Sequence, residues 1–149
     1  MKTDKYNDKI LQALKQDGRI SNIDLADKVG LSPSACLRRV QELEKLKVIT
    51  GYRAVLDNRK LGKNFTAYVT VGLNIHTKAS QHAFETAIIQ SEEVLECHNM
   101  TGNFEYLLRV ETEDIVAYKK FHTDVLGDLP QVATLSTHVL MGSPKDERQ

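Results

Sequence analysis

Apolar positions recur at helical spacing in the first part of the chain and alternate with polar ones farther on. Tyr6, Ile10, Leu11 and Leu14 fall on one helical face, and Asp17-Gly18 closes that segment. Ser21 is the N-cap of a second helix, with Asp24 where a capping box usually has Glu. Ile23, Ala26 and Val29 form its apolar stripe. Gly30 suits the residue just past a helix end, where a positive φ is often required, and Leu31 plugs the turn. Ser32-Pro33 opens a third helix with a serine cap and a proline at the first helical position. Over residues 33–46, Cys36, Leu37, Val40 and Leu43 share one face. Ser34, Ala35, Arg38, Glu42 and Lys45 share the opposite one, with Arg39 at its flank. The stretch VITGYRAVLD, residues 48–57, then predicts a turn leading to a strand, either a wing or a connection onward.

The polar stretch DNRKLGKN, residues 57–64, marks a linker between residues 1–56 and a second domain, 65–149. Beyond it the period changes to two. Phe65, Ala67, Val69, Val71 and Leu73 alternate with Thr66, Tyr68, Thr70, Gly72 and Asn74, which is a strand pattern. Ala83, Phe84, Ala87 and Ile88 predict a helix within 79–91, and Val94-Leu95 with Cys97 start a second strand. A TGN turn at 101–103 leads into a third strand, 105–112. Asp114 caps a further helix through Tyr118, Phe121, Val125 and Leu126, stopped by Pro130, and residues 133–141 form a fourth strand. The order strand-helix-strand-strand-helix-strand is the split βαβ, ferredoxin-like arrangement. The fold class is therefore α+β: an N-terminal winged helix-turn-helix domain followed by a ferredoxin-like βαββαβ domain. One sheet face carries the helices. The other, expected to show Val and Leu, calls for a covering partner, and a second copy of the chain is the simplest one.

Charge changes the picture more than composition does. The chain has 149 residues, 41 % hydrophobic and 27 % charged, which suits one compact globular domain or two small ones. Its formal net charge of zero, taken alone, argues against nucleic acid. The distribution does not: residues 1–62 hold 13 Lys/Arg against 8 Asp/Glu, and residues 63–149 hold 7 against 12. A basic module is joined to an acidic one, and phosphate neutralisation needs only local positive charge. No apolar run approaches the roughly 18 residues of a membrane span, and MKTDKYNDK lacks a signal-peptide core. No membrane partner is expected, and the cytoplasm is the default location. Cys36 and Cys97 stand far apart with no C-x-x-C, so they read as small buried hydrophobes rather than a disulfide or zinc site.

Catalytic signals are missing. His76, His82, His98, His122 and His138 are scattered, no pair of them at i,i+4, and no P-loop, G-x-G-x-x-G or G-x-S-x-G occurs. No metal site and no cofactor is expected, and a ferredoxin-like enzyme would need an acid, base or nucleophile pair that the chain does not offer. The third helix does offer chemistry. Small residues Ser34 and Ala35 permit close approach to a major groove, and Arg38 can bond guanine O6 and N7 bidentately. Ser21, Asn22 and Ser32 sit at helix starts where side chain and backbone N–H can meet phosphate. Glu42 can orient an arginine or accept from cytosine N4, and Arg53 can reach the DNA backbone or remain a solvated charge. Taken alone, Arg38 and Arg39 would also suit a plain solvated face; the cap, turn and apolar spacing together favour both arginines meeting double-stranded DNA.

The stretch DGRISNIDLADKVGLSPSACLRRVQELEKLKVITGYRAVLD resembles the DNA-binding domain of the Lrp/AsnC (feast/famine) transcription regulators. EVLECHNMTGNFEYLLRVETEDIVAYKKFHTDVLGDLPQV resembles their ligand-sensing RAM domain. The resemblance implies regulators that dimerise, often assemble into octamers, and in many members sense amino acids at interfaces between dimers. It also implies an effector loop at Thr101, Gly102, Asn103, Phe104, Glu105 and Tyr106. The commoner family form has Asp at the positions of Asn103 and Glu105. Glu105 can accept from an effector's ammonium, and the backbone N–H groups around Gly102 can donate to its carboxylate. Asn103 removes one negative charge from the loop. Thr134, Ser136 and His138 would line the same pocket from a neighbouring subunit. Without the resemblance, TGN is a hairpin turn in which Gly supplies a positive φ. The tail MGSPKDERQ is polar and expected to supply no further strand or assembly element. The function expected is a sequence-specific transcription regulator modulated by an amino acid. The alternative is an amino-acid sensor whose helical domain contacts a protein instead of DNA.

Overall fold

The structure, a computed structural model, describes residues 4–146. Residues 1–3 and 147–149, which open the expected N-terminal segment and end the expected polar tail, lie outside the described residues. The chain divides into two compact units, Met1–Val55 and Leu56–Gln149.

The first unit holds α1 (Lys5–Gln16), α2 (Asn22–Val29) and α3 (Pro33–Lys45). Each has a side-chain cap that accepts an otherwise unpaired first-turn N–H: Asp4 from Tyr6 and Asn7, Ser21 from Asp24, Ser32 from Ala35. Gly30 ends α2 in the left-handed region, φ +76°, as its place in the pattern predicts. Ile10, Ala13, Leu25, Ala26, Val29, Cys36 and Leu43 form the core, with Leu31 packed against it. Three expected core positions do not join. Tyr6 is 41 % exposed, its ring beside the Arg39 guanidinium, Ile23 is 69 % exposed and Leu37 45 % exposed. Leu25, Ala26 and Val29 set the inward face of α2, which leaves Ile23 turned outward; in α3 the inward row is Cys36, Val40 and Leu43, one helical step from Leu37. The strand expected after α3 is not formed either: among the described residues, none between 46 and 64 belongs to a strand. The extended piece finds no ladder partner and is held by Tyr52, whose hydroxyl donates to Glu44 at 2.8 Å.

The second unit holds β1 (Phe65–Leu73), α4 (Lys78–Ile89), β2 (Val94–Asn99), β3 (Tyr106–Thr112), α5 (Ile115–Phe121) and β4 (Val132–Val139). The antiparallel sheet runs β2-β3-β1-β4, the order a ferredoxin-like chain gives. The helix capped by Asp114 does not run on to Pro130: α5 passes into a π turn over His122–Leu126 and ends at Gly127. Ala67, Val69, Val71 and Leu73 of β1 meet Tyr106, Leu108 and Val110 of β3 and Phe84, Ile88, Tyr118, Phe121 and Leu126 of the helical layer in one core. The alternation in β1 is thus read correctly. The opposite sheet face corrects the expectation of Val and Leu. Strand pairing places Thr66, Tyr68, Thr70, Arg109, Glu111, Glu96, His98, Thr134, Ser136 and His138 there, with Leu107 among them. The aliphatic residues have gone to the helix side.

That polar face is partly covered by the chain itself. Arg109 and Glu111 are 7 % and 4 % exposed. The Arg109 guanidinium donates to Glu111 Oε1 from Nε at 3.1 Å and Nη2 at 2.6 Å. Asn58 donates to the other Glu111 oxygen at 2.6 Å, and Asp146 approaches Arg109 Nη1 at 3.4 Å. Residues 57–64 therefore pack on the second unit through Asn58. The polar tail, through residue 146, runs back over the sheet after Leu140 donates to the Thr66 carbonyl at 2.9 Å.

Candidate functional site

In the first unit, the caps and the turn set the start of α3 beside the start of α2. Asn22, first residue of α2, donates from its side-chain amide to the Pro33 carbonyl at 2.8 Å. This bond joins the two helix N-termini, whose free N–H groups and dipoles favour anions. Ser21 caps Asp24 N–H at 3.1 Å and donates its hydroxyl to the Asp24 carboxylate at 2.6 Å. Ser32 accepts from Ala35 N–H at 3.3 Å and stands 3.4 Å from the Ser34 hydroxyl. Ser34, Arg38 and Glu42 form an exposed row along α3, with Ala35 half-buried beside it. Arg53 is exposed in the extended segment.

The two adjacent arginines behave differently. Among the described residues, Arg38 makes no hydrogen bond or ion pair. Arg39 is folded back onto α1. Its Nη1 donates to Asp4 at 2.6 Å and Asn7 at 2.9 Å, and its guanidinium lies 5.5 Å from the centre of the Tyr6 ring. The Asp4 carboxyl is held below its ordinary value, first by the Asn7 N–H and then by Arg39.

In the second unit, the expected effector residues separate into groups. Thr101, Gly102 and Asn103 are exposed in the β2–β3 turn, with Gly102 at φ +123°. Tyr106 belongs to the core instead: it is 1 % exposed, tilted against Phe84 at 4.7 Å, and donates to Glu85 at 2.6 Å. It points to the helix layer, so it does not share a face with Thr134, Ser136 and His138. Those three lie on the polar face opposite Gly72, Thr70 and Tyr68. Glu105 reaches the same face, over Gly72. A Cβ at Gly72 would collide with Thr134 Oγ1 and stand 3.7 Å from Glu105 Oε2, so glycine is what lets the two side chains converge.

Glu105 is also tied down. The register of β1 and β4 shifts between Gly72 and Leu73, and Glu105 Oε2 takes the Leu73 N–H at 2.7 Å. Its other oxygen faces His76 Nδ1 at 2.7 Å. Sequence reasoning missed both partners. A glycine inside an alternating strand was the available signal for the first; nothing local marks His76. Among the described residues no group of His, Cys, Asp and Glu could hold a metal ion. Cys36 is buried, and burial with the Glu85 charge pushes the Cys97 thiol up to about 11, so both are poor thiolates. No helix among the described residues is long and apolar enough to cross a membrane.

Comparison with known proteins agrees with both halves. Residues 3–50 match the winged helix-turn-helix DNA-binding family, and residues 66–149 match the Lrp/AsnC ligand binding domain. The leucine-responsive regulatory protein of Escherichia coli is 38 % identical over 146 residues, covering 98 % of this chain and 89 % of that protein. A proline dehydrogenase transcriptional activator of Rhizobium radiobacter is 40 % identical over 143 residues, covering 96 % and 92 %. The crystal structure of a Neisseria meningitidis transcriptional regulator in complex with L-Met superposes with a TM-score of 0.93 at 31 % identity, over 97 % of this chain and 94 % of that one. An exposed arginine on the capped third helix, a four-stranded sheet in the second unit and matches along almost the whole sequence leave one conclusion: the chain belongs to the Lrp/AsnC family of DNA-binding transcriptional regulators.

Proposed function

We propose that this regulator reads double-stranded DNA with the outer row of α3, and that an amino acid or similar small effector bound between copies of the chain controls it. Arg38 and Ser34 meet base edges, with Glu42 orienting the arginine. The N-terminal ends of α2 and α3, with Ser21, Asn22 and Ser32, meet phosphate, as does Arg53. Arg39 serves the fold by holding α3 to α1. The observation that carries this reading is the contrast between the two arginines: one is committed to Asp4 and Asn7, the other has no partner among the described residues and lies on an exposed face.

The chain works as a cytoplasmic homodimer that assembles further, to an octamer or another closed form, and carries no catalytic activity. A dimer presents two α3 helices to two half-sites. The effector sits near Glu105, Thr134 and the 101–103 turn, with Ser136 and His138 farther along the same face. It regulates by binding one assembly better than another. The L-Met complex of the Neisseria relative supports an amino-acid ligand of this class. Gel-shift titration on DNA from the gene's own promoter region tests the first half: a sequence-dependent, salt-sensitive shift that Arg38→Ala removes is expected. An unshifted promoter fragment, or a shift indifferent to Arg38, overturns it.

A further inference from the structure

We propose that His76 is a displaceable guard on Glu105, occupying the carboxylate oxygen that an effector's ammonium group would take. The inference rests on the effector reading above and deepens it. The two Glu105 oxygens have unlike partners. Oε2 takes a backbone N–H, that of Leu73, which the register shift has released from the ladder. This bond is part of the strand and stays. Among the described residues Oε1 faces only the ring of His76, at 2.7 Å, from a loop between β1 and α4. The His76 side chain is 68 % exposed and that of Glu105 is 19 % exposed. One partner is thus built into the sheet, and the other stands in solvent, its ring bonded among the described residues to Glu105 alone.

An ammonium group that bonds Glu105 must displace that ring. The competition has a pH sign. A protonated imidazole makes a charge-assisted bond to carboxylate, stronger than the neutral ring's. Effector binding therefore expels a proton from His76 or breaks the stronger pair, and affinity falls as pH falls. Other groups around the pair do not change this sign. Thr134 on β4, Asn99 and Met100 at the end of β2, and Asn103 in the turn are uncharged. Lys78, at the start of α4, is a cation and has no acceptor to offer an ammonium group.

The guard also accounts for a specificity. A ligand without a cationic nitrogen has nothing to offer Glu105 Oε1 in exchange for His76. The site should therefore select free amino acids over the corresponding 2-keto or 2-hydroxy acids, and select them more sharply at low pH.

Isothermal titration of the full chain and of His76→Ala with each of the twenty L-amino acids, at pH 6 and pH 8, tests this. The wild-type Kd should be higher at pH 6 than at pH 8, because a protonated ring competes better for the carboxylate than a neutral one. His76→Ala should bind more tightly at pH 6 and lose the pH dependence. The His76 ring resonances should move on saturation with the ligand that binds. If His76→Ala keeps the wild-type pH dependence, or the ring does not respond, the guard is overturned while the effector site stands. If neither protein binds any of the twenty at either pH, the effector reading itself fails and takes the guard with it. Binding by His76→Ala alone supports both. Glu105→Gln, which keeps the size of the side chain, should lose binding whether or not His76 is present.

Discussion

Arg38 and Arg39 are neighbours in sequence with opposite fates, and single substitutions should separate them. Arg38→Ala should cost about 1–3 kcal/mol of specific DNA affinity and relax sequence preference at one base position, without lowering the melting temperature. Arg39→Ala should lower the melting temperature by detaching α3 from Asp4 and Asn7. Thermal unfolding and gel shifts on both variants read the two outcomes. Asp4 adds a pH dependence of known sign. Its carboxyl is held low in the folded chain, first by the Asn7 N–H and then by Arg39. The stability it contributes is therefore present above the ordinary carboxylate value and lost as pH falls through the folded one. Asp4→Asn keeps a capping side chain and removes the charge. Wild type should melt above this variant at neutral pH, and the gap should close as pH drops below about 4.

At the level of elements, Gly72 and the register shift beside it fix the geometry around Glu105. Gly72→Ala should force Thr134 aside and cost about 1–3 kcal/mol in urea unfolding. Thr134→Ala in the same chain should recover most of that loss, because the atom that collides is Thr134 Oγ1. Arg109 and Glu111 form the other sensitive pair. Glu111→Ala leaves a buried guanidinium with only the longer contacts to Asp146 and the Tyr68 hydroxyl among the described residues, and should cost about 3–5 kcal/mol, measured by the same unfolding. These features separate what the sequence could tell from what it could not. Caps at Ser21, Ser32 and Asp114, the glycine turn at Gly30 and the alternation of β1 depend on residues a few positions apart, so they were legible. Ile23 and Leu37 were misplaced because a helix offers several apolar faces and only packing selects one. The pairing of Glu105 with Leu73 and His76, of Glu111 with Asn58 and of Arg109 with Asp146 joins residues about 30 to 50 positions apart. No local pattern announces such bonds. The inward turn of Tyr106 was hidden for the same reason: its neighbour Glu105 points the other way, and one residue of register decides which face each occupies.

For the whole molecule, charge is divided rather than absent, with the excess of Lys and Arg in residues 1–62 and of Asp and Glu in 63–149. DNA affinity should accordingly be steeply salt-dependent despite the zero net charge. Raising salt from about 50 to 200 mM should weaken binding at least tenfold, the loss for two neutralised phosphates. Arg53→Ala should lower the slope of log affinity against log salt by about one, whereas Arg38→Ala should leave it unchanged.

The polar composition of the sheet face opposite the helices has a thermochemical consequence. Burial of aliphatic surface is marked by a large negative heat-capacity change and a driving force that fades on cooling. A face of threonines, serine, histidines and an arginine-glutamate pair has little such surface to bury. If two copies of the chain meet there, hydrogen bonds should join them, with release of heat and only a small heat-capacity change. Dilution calorimetry at several temperatures should find a joint that tightens as the solution is cooled.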